Sequence, residues 1–402
     1  MIYLLNISIL GIIGWSLCKT FYQKFGTIAL WGIVAKTLGA TCLGWVYFYY
    51  YEGGDTIGLW QQVKAFNEYN ATDMANYWHA LFAPINPYQG NPRSIFFVRL
   101  LGPLGLLSQN SYVFLSGYLC LFSYWASWKF IAAYDRFYPK LRPLAMAVFC
   151  FLPTYLFWTS GLLKDTLSNG ALFYLTASLL IFYHDQRLSI LQWVCATLLF
   201  VCLFMTRHYL AGLFSIIAVL LLMDNWIKNY GLKARLALFL SISCLGAYSI
   251  RFFFIRLRPE RFPITFHELH RQFLSNFSAG SNIHFDLQPT WWSLLSNLPK
   301  SLFTGLFRPG LWEVSNVFQV LESLQSTVLM IGFFLSLVLL RKVKAFPQVA
   351  LAVALFILVL ATCLPLAAPN FGSLSRYRVA FTPFLAFLIL YLPYRQFVGK
   401  DL

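Results

Sequence analysis

Residues 348–368 read QVALAVALFILVLATCLPLAA, a run of 21 residues without a charged side chain. A helix needs about 20 mostly apolar residues to cross the hydrocarbon core of a bilayer. This stretch is therefore long enough and apolar enough to span a membrane. It predicts a membrane protein, and the composition of the whole chain points the same way.

Hydrophobic residues make up 59% of the 402 residues, and charged residues only 11%. A soluble protein carries about 25% charged residues. So few charges cannot cover a water-facing surface, whereas a lipid-facing surface needs none. The formal net charge is +16. In a membrane protein, basic loops and anionic lipids account for such a charge, so we expect membrane lipids and no nucleic acid as partners.

The hydropathy pattern predicts an all-α polytopic membrane protein, with one transmembrane domain over 1–402. About eleven segments are long enough and apolar enough to be transmembrane helices. They lie at 2–21, 27–51, 110–131, 143–161, 166–183, 188–206, 208–225, 235–255, 318–340, 348–368 and 379–394. A further apolar stretch, 94–107, is shorter and contains Arg99 and Pro103. It is typical of a re-entrant or interfacial segment.

The basic residues of the short loops predict the orientation, because cytoplasmic loops are enriched in lysine and arginine. One alternating set of loops carries fifteen basic residues: Lys19, Lys24, Lys129, Arg136, Lys140, Arg142, Arg187, Lys228, Lys233, Arg235, Arg341, Lys342, Lys344, Arg395 and Lys400. The opposite set carries four: Lys164, Arg207, Arg376 and Arg378. The first set is therefore predicted to be cytoplasmic, which places the amino terminus outside and the carboxy terminus inside.

Two long loops then fall on the outer side of the membrane. The first covers 52–109 and includes the short apolar stretch, and the second covers 256–317. Both are rich in aromatic residues and proline. Segments 59–69 and 291–307 are predicted to be amphipathic helices that lie along the interface, with aromatic rings at headgroup depth.

Several outer loops each place a cation near the outer leaflet. Each cation could be a snorkelling anchor, but arginine is disfavoured in short outer loops, and together they favour an anion site. Guanidinium groups bind phosphate bidentately and stay charged when partly buried. The predicted ligand is therefore a lipid-linked phosphate. The candidate substrate-binding residues are Lys164, Asp165, Arg207, Arg308, Glu313, Arg376, Tyr377 and Arg378.

Two further residues are candidates for catalysis. Asp55 follows Gly53 and Gly54 just beyond the second predicted span, where a carboxylate can act as general base or orient an acceptor hydroxyl. It can equally be an ordinary residue at a turn and helix start. His208 adjoins Arg207 and can carry a proton. The outer histidines are not spaced as metal ligands, so no metal site and no cofactor are predicted.

These residues resemble a known family. Gly54-Asp55-Thr56 is similar to the first-outer-loop acid of multispanning glycosyltransferases of the GT-C type. The layout from Phe157 through Lys164-Asp165 to Arg207-His208-Tyr209 resembles the paired spans of oligosaccharide repeat-unit polymerases (Wzy-like, EpsG-like). Arg376-Tyr377-Arg378 resembles their late Arg-Tyr element. The chain departs from the pattern in two places: Lys164-Asp165 replaces the usual Arg pair, and the acid follows the second span.

The resemblance implies envelope polysaccharide assembly in a bacterial inner (cytoplasmic) membrane. The expected activity is glycosyl transfer or polymerisation on the outer side, from a polyprenyl-(di)phosphate-linked saccharide, with other assembly proteins as further partners. A divalent cation stays open, because Asp55, Asp165 and Glu313 could supply ligands if the fold brought them together. Two alternatives also stay open. One is a transporter or flippase of a lipid-linked saccharide, suggested by Lys36 in the second span, and the other is a non-catalytic scaffold.

Overall fold

The structure is a computed structural model, and its described part is built from helices. It describes residues 2–85, 90–184, 187–227, 258, 260–276, 282–314, 316–340 and 348–398. Within these ranges there is no β-strand, only an isolated antiparallel bridge between Asn282 and Asn370. The predicted all-α class is confirmed for this part of the chain.

Six helical segments of the described chain are long and apolar enough to cross a membrane. They are Ile2–Phe25, Thr27–Tyr50, Lys164–Tyr183, Ile190–Met223, Gln319–Leu339 and Gln348–Ala367. A seventh candidate is the pair Phe371–Arg378 and Thr382–Phe397, which is bent by 69°. These segments are consistent with a multi-pass membrane protein. The count of eleven and the orientation stay predictions, and the predicted span 235–255 lies outside the described residues.

The chain forms two compact units, Met1–Gly212 and Leu213–Leu402. The prediction of a single transmembrane domain stays a prediction. The first unit contains ten helices among its described residues: α1 Ile2–Phe25, α2 Thr27–Trp45, α3 Asp55–Asn70, α4 Met74–Phe82, α5 Pro92–Leu107, α6 Tyr112–Phe137, α7 Arg142–Phe151, α8 Pro153–Trp158, α9 Lys164–Tyr183 and α10 Ile190–Ile227. The boundary between the units falls within α10.

Helix α6 is the centre of the first unit, where it packs against α9 and also against α1, α2 and α7. Its contact with α9 is largely aromatic. Trp125 stacks on Tyr174 with ring centroids 5.0 Å apart, and Phe130 lies 5.4 Å from Phe173. Such ring pairs add to the stabilisation that comes from burial alone. Helix α9 is consequently the most buried of the candidate spans, at 72% of its apolar window.

The predicted span 143–161 is divided into two short helices. Helix α7 ends at Phe151 and α8 begins at Pro153. Between them, Leu152 is extended, with φ −63° and ψ 125°. A residue before proline is pushed out of the helical region, since the proline ring clashes with its backbone. The proline therefore explains the break.

A second break lies where the sequence predicts a turn between two spans. Helix α10 runs from Ile190 to Ile227, but Arg207 within it has φ −143° and ψ 66°, which is not helical. The predicted turn is thus a break at a single residue rather than a separate loop. The break is important for the candidate site because the non-helical backbone of Arg207 changes the direction of its side chain.

The first predicted outer loop is mostly helical. Helix α3 contains the predicted amphipathic segment 59–69 and packs against α5. Helix α5 contains the predicted re-entrant stretch 94–107 and has Pro103 in its interior. Its 16 residues span about 24 Å, less than the roughly 30 Å of a hydrocarbon core. The helix is thus too short to cross the membrane, and its re-entrant or interfacial placement stays a prediction.

The described part of the second unit has six further helices. They are α11 Phe262–Asn276, α12 Trp291–Phe307, α13 Val317–Leu340, α14 Gln348–Ala367, α15 Phe371–Arg378 and α16 Thr382–Val398. Helix α12 coincides with the predicted amphipathic segment 291–307. It packs closely on α14, and a methyl group at Gly305 would meet the Ala361 carbonyl oxygen at 2.0 Å. Helix α13 packs on α16.

Candidate functional site

The first unit contains a buried ion pair between two residues that the sequence singles out. Nη2 of Arg207 donates a hydrogen bond to Oδ1 of Asp165 at 2.5 Å. Arg207 is 6% exposed and Asp165 is 3% exposed. A hydrogen bond between two charged groups is stronger than a neutral one, and burial protects it from salt. The pair joins the break in α10 to the start of α9.

Local backbone geometry places both members of this pair. Asp165 lies in the first turn of α9, which follows Leu163 in an extended conformation. A carboxylate is favourable there because the amino end of a helix carries partial positive charge. Arg207 lies at the break in α10, where its side chain leaves the helical repeat. Burial of either charge alone would be costly, and the pairing of Asp165 with Arg207 offsets that cost.

Residues 159–163 connect α8 to α9 as a non-helical turn, which we call the site turn. Side chains from three helices bind its carbonyl groups. Lys36 of α2 donates to the Thr159 carbonyl at 3.2 Å and Thr56 of α3 donates to the Leu162 carbonyl at 2.8 Å. Thr166 of α9 donates to the Gly161 carbonyl at 2.7 Å. Side chains from three helices therefore satisfy carbonyl groups of the site turn.

Lys164 follows the site turn directly and is half-buried. Its Nζ donates to the hydroxyl of Ser94 in the first turn of α5 at 3.0 Å. This hydrogen bond brings the amino ends of α5 and α9 together, whereas Thr56 joins the start of α3 to the site turn at Leu162. Helix amino ends carry N–H groups that attract anions, and Lys164 adds a full positive charge.

Asp55 is the first residue of α3 and is exposed. It adjoins Thr56, whose hydroxyl contacts the Leu162 carbonyl two residues before Lys164. The structure therefore brings the helix start that carries Asp55 beside the site turn. Gly54 precedes it with φ 108°, a conformation that favours glycine. The position fits both interpretations of Asp55, as a reactive acid and as an ordinary acid at a helix start.

His208 follows the break in α10 and is exposed. Its ring lies 6.1 Å from the ring of Tyr209. The imidazole is thus accessible next to the buried Arg207, as a proton carrier would need to be. Its predicted role stays a prediction.

The predicted site residues of the second unit form two charge clusters. In the first, Nε of Arg308 donates to Oε1 and Oε2 of Glu313 at 2.8 and 3.0 Å. The Gly310 amide also donates to Glu313, and the Arg308 guanidinium lies 5.1 Å from the Phe371 ring centroid. Burial alone would raise the pKa of Glu313, but hydrogen bonds from Arg308 and the Gly310 amide outweigh it and lower the pKa. Glu313 is therefore an ion-pair partner rather than a proton donor.

The second cluster surrounds Arg378, which is 2% exposed. Its Nη2 donates to Oγ of Ser326 at 2.6 Å, and its Nη1 donates to the Arg308 carbonyl. Its Nε lies 3.4 Å from Oε1 of the buried Glu322. One guanidinium thus ties α13, the end of α15 and the segment after α12 together.

Arg376 and Tyr377 are half-buried neighbours of this cluster. Nη2 of Arg376 donates to the Tyr377 hydroxyl at 3.3 Å, and its guanidinium lies 5.1 Å from that ring. These contacts hold the arginine along the aromatic face. Both residues stay candidate ligand contacts.

The charge pairing changes how these cations can act. Arg207, Arg308 and Arg378 each have a carboxylate partner, so each pair is close to neutral. A diphosphate would have to compete with Asp165, Glu313 or Glu322 for them. Lys164 donates to the neutral hydroxyl of Ser94, where the amino ends of α5 and α9 meet. That the cations of both units surround one cavity stays a prediction.

The acids named as possible ligands of a divalent cation have other contacts. Asp165 is paired with Arg207, and Glu313 is paired with Arg308. Within the described ranges, no group of three or more His, Cys, Asp or Glu side chains is arranged to hold a metal ion.

Comparisons with protein-family models, with curated proteins and with solved structures match nothing. What the site can do therefore follows from its own chemistry. Three residues that bear on it were not among the sequence candidates: Thr56, Ser94 and Glu322. The hydroxyls of Thr56 and Ser94 have no signal in a single sequence. Glu322, an acid inside an apolar span, does have one, because such residues are costly unless they are paired.

Proposed function

We propose that this protein is a membrane glycosyltransferase or polysaccharide polymerase. It takes a saccharide linked to a polyprenyl phosphate or diphosphate and transfers it on the outer side of a bacterial inner membrane. The proposal rests on the meeting of the amino ends of α5 and α9 at Lys164, and on the contact of the helix start that bears Asp55 with the adjoining site turn. About eleven spans, with the amino terminus outside, form part of this proposal.

In the proposed reaction, the phosphate head of the donor lies at Lys164 and the nearby helix ends, while the polyprenyl tail stays in the bilayer. Backbone N–H groups and Lys164 stabilise the charge that develops on the phosphate as it leaves. An acceptor hydroxyl attacks the anomeric carbon as the bond to the phosphate oxygen breaks. Asp55 takes the proton of that hydroxyl. The pair of Arg207 and Asp165 keeps the start of α9 in place.

The transport alternative depends on Lys36 lining a path through the membrane. Lys36 is 2% exposed, and its Nζ donates to the side chains of Ser123 and Thr159 at 2.8 and 2.6 Å. It also lies 4.3 Å from the ring centroid of Tyr155. A cation enclosed in this way is better suited to hold helices together than to meet a passing substrate. These contacts weigh against the transporter and favour the transferase.

The test compares the variants Lys164→Ala and Asp55→Asn with Lys64→Ala. Lys64 is 49% exposed in the same helix as Asp55 and forms a surface pair with Glu68, so it is a matched control. Each protein is purified, reconstituted in liposomes and supplied with a polyprenyl-diphosphate-linked saccharide. We expect Asp55→Asn to lower transfer by about 100-fold or more, as for loss of a general base. Lys164→Ala should lower donor binding, and Lys64→Ala should change neither.

Full transfer by both site variants would reject the enzyme and favour a scaffold with dispensable charges. The flippase would instead be supported if the wild-type protein transferred no saccharide but moved the lipid-linked saccharide across the liposome membrane, and the site variants lost that movement. Insertion and thermal stability are measured for every variant, so that a folding defect is recognised.

A further inference from the structure

Lys36 is a buried lysine in the middle of α2, one of the candidate spans. A charged side chain at this depth is costly and needs polar partners. Its partners in the described chain are the Ser123 hydroxyl, the Thr159 hydroxyl, the Thr159 carbonyl and the face of the Tyr155 ring. Two of these belong to Thr159, the first residue of the site turn.

The site turn runs along α2 from this lysine toward the carboxyl end of the helix. Thr159 contacts Lys36, and Leu163 packs on Leu43 and Tyr47 about two to three turns further along. Close packing supports this alignment, because a methyl group at Gly39, which lies between Lys36 and Leu43, would meet Oγ of Ser160 in the turn at 3.0 Å. The turn therefore begins near the middle of α2 and ends near its carboxyl end, just before Lys164.

Non-helical backbone at membrane depth must have its polar groups satisfied within the protein. An unsatisfied buried carbonyl is costly, and loss of its donor allows the chain to rearrange. Lys36 satisfies the first carbonyl of the site turn, near the middle of α2, whereas Thr56 and Thr166 satisfy carbonyls closer to Lys164. Methionine would fill a similar volume as lysine without any hydrogen-bond donor, so apolar packing alone does not require lysine.

We propose that Lys36 is a positioning residue: it anchors the beginning of the site turn and thereby sets where Lys164 and Asp165 lie. It acts through the turn and does not touch the substrate. The effect on binding rests on the proposed function, whereas the effect on the turn does not.

The first test measures the turn itself. Amide hydrogen exchange is followed by mass spectrometry for the wild-type protein, Lys36→Met and the control Tyr124→Phe. The Tyr124 hydroxyl donates to the Ala29 carbonyl at 3.1 Å, so the control also removes one buried hydrogen bond to α2, but away from the turn. We expect exchange over 159–166 to be about tenfold faster in Lys36→Met, as for loss of a charged hydrogen bond, and unchanged in Tyr124→Phe. Unchanged exchange in Lys36→Met would overturn the proposal.

The second test measures binding of a short-chain polyprenyl diphosphate in nanodiscs. Lys36→Met should weaken binding by about tenfold, and Lys36→Gln, which keeps a donor, should recover part of this loss. The double variant Lys36→Met/Lys164→Ala should bind no more weakly than Lys164→Ala, since residues that act through one another are not additive. Losses that multiply would show a general structural role and contradict positioning. If the wild-type protein binds no diphosphate, the proposed function fails, and hydrogen exchange alone decides the role of Lys36.

Discussion

Arg207 and Asp165 form a buried ion pair, at 2.5 Å, between a break in one helix and the first turn of another. The two residues are separated by 42 positions in the chain. Neither helix end would place a charge in the interior without the other. The pair thus explains why an arginine is found at a helix break and an aspartate at a buried helix start.

We expect loss of one partner of this pair to be strongly destabilising. Asp165→Asn and Arg207→Met should each lower the free energy of unfolding by about 3–5 kcal/mol, because each leaves an uncompensated buried charge or donor. The double variant Arg207→Met/Asp165→Leu should recover much of that loss. Thermal unfolding in nanodiscs measures this, with Lys64→Ala as the exposed control. Single variants no less stable than the control would contradict the burial of the pair.

Gly54 should be required at the start of α3, whereas its neighbour should not. Gly54 has φ 108°, and a methyl group there would lie 2.7 Å from Cε1 of Tyr47. At Gly53 the nearest atom would be the Tyr51 carbonyl oxygen at 3.9 Å. We expect Gly54→Ala to cost about 1–3 kcal/mol of stability and Gly53→Ala less than about 0.5 kcal/mol.

The same two glycine variants also test the role of Asp55. Saccharide transfer should fall in Gly54→Ala, because its strain displaces the helix start that carries Asp55, and should persist in Gly53→Ala. Equal transfer by the two variants would indicate that the position of Asp55 is unimportant.

Lowering the pH should lower the folding stability of the second unit, because Glu313 becomes protonated. Its pKa is lowered in the folded protein, so the folded state favours the ionised carboxylate more than the unfolded state does. The stabilisation is present above the unfolded pKa of about 4.3 and is lost as the pH falls through the lowered folded value. Melting temperatures of the wild-type protein and Glu313→Gln should differ at pH 7 and converge as the pH falls below the lowered folded pKa. A constant difference would contradict the ion pair with Arg308.

Arg378 should not be replaceable by lysine. Its guanidinium reaches Ser326, Glu322 and the Arg308 carbonyl at once, and a single ammonium group cannot reproduce that planar fork. We expect Arg378→Lys to cost about 2–4 kcal/mol. Ser326→Ala, which removes one partner, should cost about 1 kcal/mol. Arg395→Lys, at the end of α16, is the control, and unfolding midpoints compare the three; equal midpoints would argue against the buried cluster.

Much of the helical layout could be predicted from residues that lie close in the chain. The uncharged run 348–368 is helix α14, and the segment 291–307 is helix α12. The break at Arg207 lies where two apolar runs meet. Leu152 is harder to predict, because the apolar run continues through it and only the following proline marks the end of a helix.

Contacts between distant residues could not be predicted in this way. Nothing near Thr56 indicates that its hydroxyl binds the carbonyl of Leu162, and nothing near Ser94 indicates a contact with Lys164. The sequence predicts arginines that bind phosphate, and the structure pairs Arg207, Arg308 and Arg378 with carboxylates. Of these pairs, only Arg308 and Glu313 are close in the chain.

The sequence by itself determined that this is a helical chain with apolar segments long enough to cross a membrane. It also determined where charged residues lie between those segments. Transfer of a side chain into an apolar medium is a local property, and its free energy adds up along the chain. Only the tertiary structure decided which arginines are paired with carboxylates and that Lys164 joins the amino ends of α5 and α9. Those outcomes depend on which helix faces pack together, and local composition does not encode that choice.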